Sequence, residues 1–153
     1  RMNSITIRSA ILDDLATLLK FEQGIISTER PFDPTLLPGE FHYYDLAARI
    51  TDPDAEVVVA EDHGKIIGGG SAVIKQGNTY NIFSNYAFLG FMYVEPSYRG
   101  QGVNAMIIDR LVEWSHNKGL TEIRLHVYSD NLNAIRAYEK VGFKMLLTEM
   151  RLT

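Results

Sequence analysis

Arg99-Gly100-Gln101-Gly102 stands between an apolar run, Tyr86 to Val94, and a helical stripe of Val103, Ile107, Leu111 and Trp114. Glycines at a strand-to-helix junction let the backbone approach a ligand closely. The amides of residues 100 to 104 would point out of the helix N-terminus, where they and the helix dipole favour an anion. Arg99 adds a permanent charge and a forked donor suited to phosphate oxygens. The chemistry this arrangement can do is to cradle a phosphate. A tight turn beside a surface arginine is the plainer reading of the same residues.

Two familiar phosphate loops fit poorly. Gly100-Gln-Gly102-Val-Asn-Ala105 matches G-x-G-x-x-A, but Pro96-Ser-Tyr-Arg99 separates it from its strand, and hairpins precede it. A dinucleotide fingerprint opens a first βαβ unit and ends its second strand on an acid. Here Val127-Tyr128-Ser129 ends that strand, and Asp130 comes too late. No Gly-Lys-Ser/Thr follows, so a Walker loop fails as well.

A second motif changes the reading. Asn131-Leu-Asn133-Ala134-Ile135-Arg-Ala-Tyr138-Glu-Lys-Val-Gly142-Phe143 lies about 30 residues downstream, past one helix and one strand. Together with Tyr93-Val-Glu-Pro96 and Arg99-Gly-Gln-Gly, it resembles the two signatures of the GCN5-related N-acetyltransferases (GNAT). The resemblance covers residues 56 to 152 by motif and the whole chain by element order. Asn104 departs from the family's Gly/Ala and sits in the first helical turn.

The resemblance implies acetyl-CoA as donor. Its pyrophosphate would lie on Arg99, Gly100, Gln101, Gly102, Val103 and Asn104. Its pantetheine arm would run along Met92-Tyr93-Val94 and meet Asn131, with Asn133, Ala134 and Tyr138 nearby. A backbone N–H near Met92 or Val94 would polarise the thioester carbonyl. Tyr138 would be the general acid, a phenol near pKa 10 facing a thiolate leaving group near 8.5; periodicity alone reads it as a core aromatic beside Ile135. With no cysteine in the chain, an acyl-cysteine route is closed, and direct attack by an amine in a ternary complex is expected. The apolar run Tyr86 to Tyr93 carries no carboxylate to serve as base. Glu29, Asp33 and His42 are the next candidates, each also readable as a surface group or cap.

The acceptor side falls on "STERPFDPTLLPGEFHYYDL", residues 27 to 46. From Ser27 to Asp54 there are six acids and two bases, a charge that would welcome a cation. Glu29 and Asp33 could hold an ammonium. Phe32, Phe41, Tyr43, Tyr44, Tyr80 and Tyr86 could line an aromatic pocket or simply pack the loop. The acceptor expected is a primary amine: a small cationic amine, an amino acid, or a peptide or protein amine. A non-catalytic acyl-CoA-binding domain of the same fold is the alternative, and a nicotinamide-binding module the third.

The elements that must position these residues follow from pattern. Alternation marks strands at Ser4–Arg8 and Glu122–Val127, an apolar run marks Glu56–Glu61 as strand-like and Tyr86–Val94 as a buried strand, and a last strand is expected at Phe143–Leu152. Asp62-His63-Gly64 joins a hairpin to Lys65-Ile-Ile-Gly68. Gly68-Gly69-Gly70 signals a bulge or a close approach. Helices are expected from Asp13 or Asp14 to Gly24, over His42–Ile50, from Val103 to Lys118, and to Lys140 with a cap at Asn133 or its neighbour. Pro31, Pro34 and Pro38 make residues 24 to 41 an irregular loop. The fold expected is an α/β (α+β) mixed, largely antiparallel twisted sheet with helices on both faces, in one domain over 1–153.

Bulk properties bound the partners. The net charge is −4 without a Lys/Arg block, which argues against nucleic acid. No apolar run approaches a membrane span, and Ile5-Thr-Ile-Arg8 is too short and polar for a signal peptide. Cysteine-free composition permits a cytoplasmic setting. No histidine pair has metal-ligand spacing, so no metal is expected. A homodimer is allowed for.

Overall fold

The computed structural model describes residues 4–153. Five strands form one sheet in the order β1-β2-β3-β4-β5: Ile5–Ser9, Ala55–Asp62, Lys65–Gln76, Asn85–Val94 and Ile123–Leu125. The first three pairings are antiparallel and the last, β4 with β5, is parallel. Four α-helices flank it: α1 Leu15–Glu29, α2 Leu46–Thr51, α3 Val103–Asn117 and α4 Leu132–Lys140. The mixed, largely antiparallel sheet with helices on both faces is therefore present.

Two apolar layers hold the helices to the sheet. On one face Val103, Ile107, Ile108 and Leu111 of α3 bury against Val58, Ala60, Ile67, Ala72, Ala87 and Leu89. On the other, Leu18, Phe21 and Ile25 of α1 and Leu46 of α2 bury against Val57, Val59 and Phe91. The strand residues at 57 to 60 alternate between the two layers, as a pleat with both faces covered requires.

Three expectations need correction. α1 does not end near Gly24 but runs on to Glu29. Gly24 is interior because Tyr93 crosses there: a Cβ would lie 2.8 Å from the Tyr93 ring. The helix expected over His42–Ile50 starts only at Leu46, with Asp45 capping it by accepting from Ala48 N–H at 3.1 Å. Residues 42 to 44 are instead held by Glu22 of α1, as described below. The strand expected over Phe143–Leu152 does not form among the described residues; Met145, Leu146, Leu147, Met150 and Leu152 are exposed. Alternation prescribes an extended chain but cannot supply a neighbouring edge. The tail is held at Arg151, which reaches Asp33 at 3.2 Å and Thr35 at 3.2 Å.

Candidate active site

β4 carries the centre of the site. It pairs with β5 only at Ala87, Phe88 and Leu89, since β5 stops at Leu125. Beyond Leu89 the edge of β4 that faces β5 is open up to Val94. A bulge sits at the start of this open stretch. Ser71 pairs with Gly90 and Gly70 with Met92, so Phe91 is the extra residue. Its φ is +60°, a conformation that costs a bulky side chain on the order of 1–3 kcal/mol.

The bulge decides which way the amides point. Ala87 N–H donates to Glu122 O on the β5 side at 2.9 Å, whereas Glu95 N–H donates to Ile67 O on the β3 side at 2.8 Å. Donors alternate along a strand, so residues 87 and 95 would point the same way in an uninterrupted one. The extra residue at 91 switches the phase. Met92 and Val94 therefore direct their N–H groups to the open edge. The side chains switch with them: Leu89, Met92 and Val94 lie on the α3 face, Phe91 and Tyr93 on the α1 face.

β4 leads into the glycine loop. Arg99 Nε donates to Val94 O at 2.7 Å, and the guanidinium lies over the Tyr93 ring at 5.4 Å. Gly100 and Gly102 have φ of +74° and +85°, which only glycine takes without strain. Nothing lies within 4 Å of a Cβ built on Gly100. Gln101 is turned back onto Ser97 O at 3.1 Å. Val103 is buried in the core, so it offers the loop its N–H and not its side chain. Asn104 is half-buried in the first turn of α3. Exposed glycine amides, a tethered cation and an open strand edge are together a fit for a pyrophosphate with an extended arm.

α4 supplies the far wall. Asn131, not Asn133, caps it, its Oδ1 accepting from Ala134 N–H at 3.3 Å. The Asn131 amide nitrogen keeps its donors for a ligand, while Asn133 is exposed and Ala134 half-buried. Tyr138 packs against the α3-side core and meets Phe143 edge-on at 6.0 Å. Burial first, then the charge of Glu29 and the presence of Tyr44, push its phenol up to about 12.

The acceptor segment is built by α1. Glu22 occupies an apolar position of the helix stripe and is fully buried. Its carboxylate accepts from Tyr43 N–H at 2.8 Å and Tyr44 N–H at 2.9 Å, and meets His42 Nδ1 at 2.7 Å. Glu22 thereby fixes residues 42 to 44 in space. His42 is engaged through Nδ1 in this contact, which raises its pKa. Asp33 is likewise committed: it accepts from Thr35, Arg151 and Tyr128, and these bonds hold its pKa down at about 2. Among the described residues Glu29 carries no such ion pair, and its charge bears on the Tyr138 phenol. Burial raises its pKa, opposed by the neighbouring Tyr43 hydroxyl. That hydroxyl is itself buried and outside normal hydrogen-bond geometry.

Among the aromatics, Phe32 stacks on Tyr128 at 6.1 Å and Tyr43 meets Tyr44 edge-on at 5.7 Å. Tyr80 is exposed. Tyr86 lies under Arg124 and against Phe83, six residues from Met92, or about 20 Å along the strand; it is not brought to the others. Sequence reasoning missed Tyr128, Glu22 and the bulge at Phe91. Glu22 had a signal, an acid on an apolar stripe; Phe91 had none.

Among the described residues no group of His, Asp and Glu is arranged to hold a metal, and no helix is long and apolar enough to cross a membrane. The acetyltransferase (GNAT) family pattern matches residues 22–143. A thialysine N-epsilon-acetyltransferase from Mus musculus is 35% identical over 92 residues, 58% of this chain and 52% of that protein. One from Sus scrofa is 35% identical over 50% of this chain and 48% of its own length. The matches thus span about half of each relative. A solved variant of a Bacillus halodurans protein superposes with a TM-score of 0.86 at 17% identity, covering 97% of this chain and 98% of its own. A predicted acetyltransferase from Clostridium acetobutylicum, solved with acetyl-CoA, gives 0.72 at 21% identity, covering 97% and 96%. The family pattern covers most of the chain, and the chain belongs to the GNAT acetyltransferase family.

Proposed function

We propose that this protein transfers an acetyl group from acetyl-CoA to a primary amine carrying positive charge, by direct attack with both substrates bound. The observation that carries the reading is the open edge of β4 leading into the glycine loop; the charge of Glu29 also bears on the Tyr138 phenol. One is an acid suited to an amine, the other a phenol that keeps its proton. The relatives' name, which specifies an ε-amine, supports an acceptor of amino-acid type.

Acetyl-CoA, when bound, supplies an acetyl group activated as a thioester. Arg99 and the amides of residues 100 to 104 hold its pyrophosphate, and Asn131 donates to its arm. The Met92 N–H, aimed at the open edge, stabilises charge developing on the carbonyl oxygen. Glu29 draws in the ammonium and takes the proton that the amine must lose to attack; its raised pKa makes it a better base than Asp33. Tyr138 offers its O–H to the departing sulfur. With the phenol at about 12 and a free thiol near 8.5, complete transfer is uphill by three to four pK units. Tyr138 thus acts chiefly as a hydrogen-bond donor to the thiolate, which water finally protonates.

The experiment is release of free thiol from acetyl-CoA with a panel of cationic amines, neutral amines, alcohols and peptides. Cationic amines should be preferred. Glu29→Gln should lower kcat/KM for them by about 10- to 100-fold and abolish the preference. Binding of CoA without turnover of any amine would overturn the reading in favour of a non-catalytic acyl-CoA-binding domain.

A further inference from the structure

Phe91 N–H, displaced from the ladder by the bulge, does not go unpaired. It donates to the Tyr44 hydroxyl at 2.9 Å. Tyr44 comes from the acceptor segment, 47 residues earlier in the chain, and every part of it is fixed. Its backbone N–H is held by the buried carboxylate of Glu22 at 2.9 Å. Its ring carries the Arg49 guanidinium at 4.7 Å on one side and meets the Phe91 ring edge-on at 6.0 Å. Arg49 continues to the opposite strand of the bulge: Nη1 donates to Ser71 Oγ at 3.0 Å, and Ser71 donates to Gly90 O at 2.7 Å. A Cβ on Gly90 would stand 3.5 Å from this ring, in ordinary van der Waals contact.

Hydrogen bonds from one polar cluster thus reach both residues that flank the change of phase, Gly90 through its carbonyl and Phe91 through its amide. The next amide along is Met92, the one turned to the open edge. Buried backbone donors need a partner, and without the Tyr44 oxygen the Phe91 amide would regain one, in solvent, by slipping round to the open edge in phase with Ala87. That slip undoes the bulge and turns the Met92 N–H away.

We propose that Tyr44 is a positioning residue: its hydroxyl holds the Phe91 bulge, and through it aims the Met92 N–H at the thioester carbonyl. This rests on the acetyl-transfer reading above. It also joins the two substrate sides, because the residue that orients the donor's carbonyl belongs to the segment that receives the amine.

The test is Tyr44→Phe, which removes one oxygen and keeps the ring between Arg49 and Phe91. Two readouts are taken. In the unliganded protein, amide exchange at Phe91 should speed up by about tenfold or more while α3 amides are unchanged. In turnover with acetyl-CoA and the best amine of the panel, kcat should fall by roughly 10- to 100-fold with KM for acetyl-CoA within about threefold, the pattern of a lost interaction made only in the transition state. Unchanged exchange at Phe91 overturns the structural half of the proposal, and full kcat overturns the catalytic half. A rise in KM alone also overturns it, since that would place Tyr44 in binding. A wild-type protein that acetylates no amine defeats the proposed function and this inference with it; a wild type that does, beside an equally active Tyr44→Phe, defeats this inference alone.

Discussion

Tyr138 shows how far one residue's chemistry depends on its surroundings. By its side chain alone it is a phenol near 10; in place, burial and the Glu29 charge raise it to about 12. A group that must be protonated stays so below its pKa. No alkaline loss of kcat traceable to this residue is therefore expected up to about pH 10. Tyr138→Phe should cost about 100-fold or more in kcat with the melting temperature nearly unchanged. Equal kcat for the two proteins across pH would remove the hydroxyl from the chemistry. Glu29 and Asp33 make the same point in opposite directions. The sequence offered both as ammonium holders, but Thr35, Arg151 and Tyr128 occupy Asp33 and leave Glu29.

At the scale of elements, the glycines of β3 set how closely α3 lies on the sheet. Gly68-Gly69-Gly70 was legible as a bulge or a close approach; it is the close approach, and the bulge opposite Gly70 belongs to Phe91 of β4. A Cβ on Gly70 would stand 2.6 Å from Ile107, 2.9 Å from Met92 and 3.3 Å from Leu111. Gly70→Ala should cost about 1–3 kcal/mol by overpacking, lowering the melting temperature by several degrees in a chain of this size. Because the displaced helix opens with the glycine loop, CoA affinity should fall as well. A variant that melts and binds CoA like wild type would show that α3 is free to shift.

For the whole molecule, the start of the chain is tied to the sheet by charge. Asp14 accepts from both Arg8 nitrogens at 2.8 and 2.9 Å and from Ile11 N–H at 2.8 Å. Those bonds, the Arg8 pair first, lower its pKa. A carboxylate lowered in the folded state adds stability above its unfolded value, about 3.9, and that contribution is lost as pH falls through the folded value. Asp14→Asn should therefore destabilise by about 1–3 kcal/mol at pH 7. In urea unfolding the gap from wild type should close as pH falls below the unfolded value of about 3.9 and through the lowered folded one. A gap that persists in acid would mean that the charge contributes nothing.

Local pattern determined much of this protein. Alternation and helical stripes placed four of the five strands and three of the four α-helices to within a few residues, α1 overrunning its expected end. The glycine loop and the α4 signature are contiguous in sequence, so their spacing could be read directly. The rest depends on contacts between distant segments. Phe91 sits in an ordinary apolar run, and nothing near it announces a bulge; the phase switch appears only when β3 and β4 pair. The tail alternates like a strand yet finds no edge among the described residues, because pairing is a property of two segments. Glu22, Tyr44 and Phe91 lie far apart in the chain, and only packing of α1 against the sheet brings the buried carboxylate, the phenol and the bulged amide into one line. Sequence thus determined most of the elements and singled out the loop proposed to cradle phosphate. Tertiary structure decided which acid is occupied by neighbouring donors and which amides face the open strand edge, because burial and hydrogen-bond partners are set by neighbours the chain does not keep adjacent.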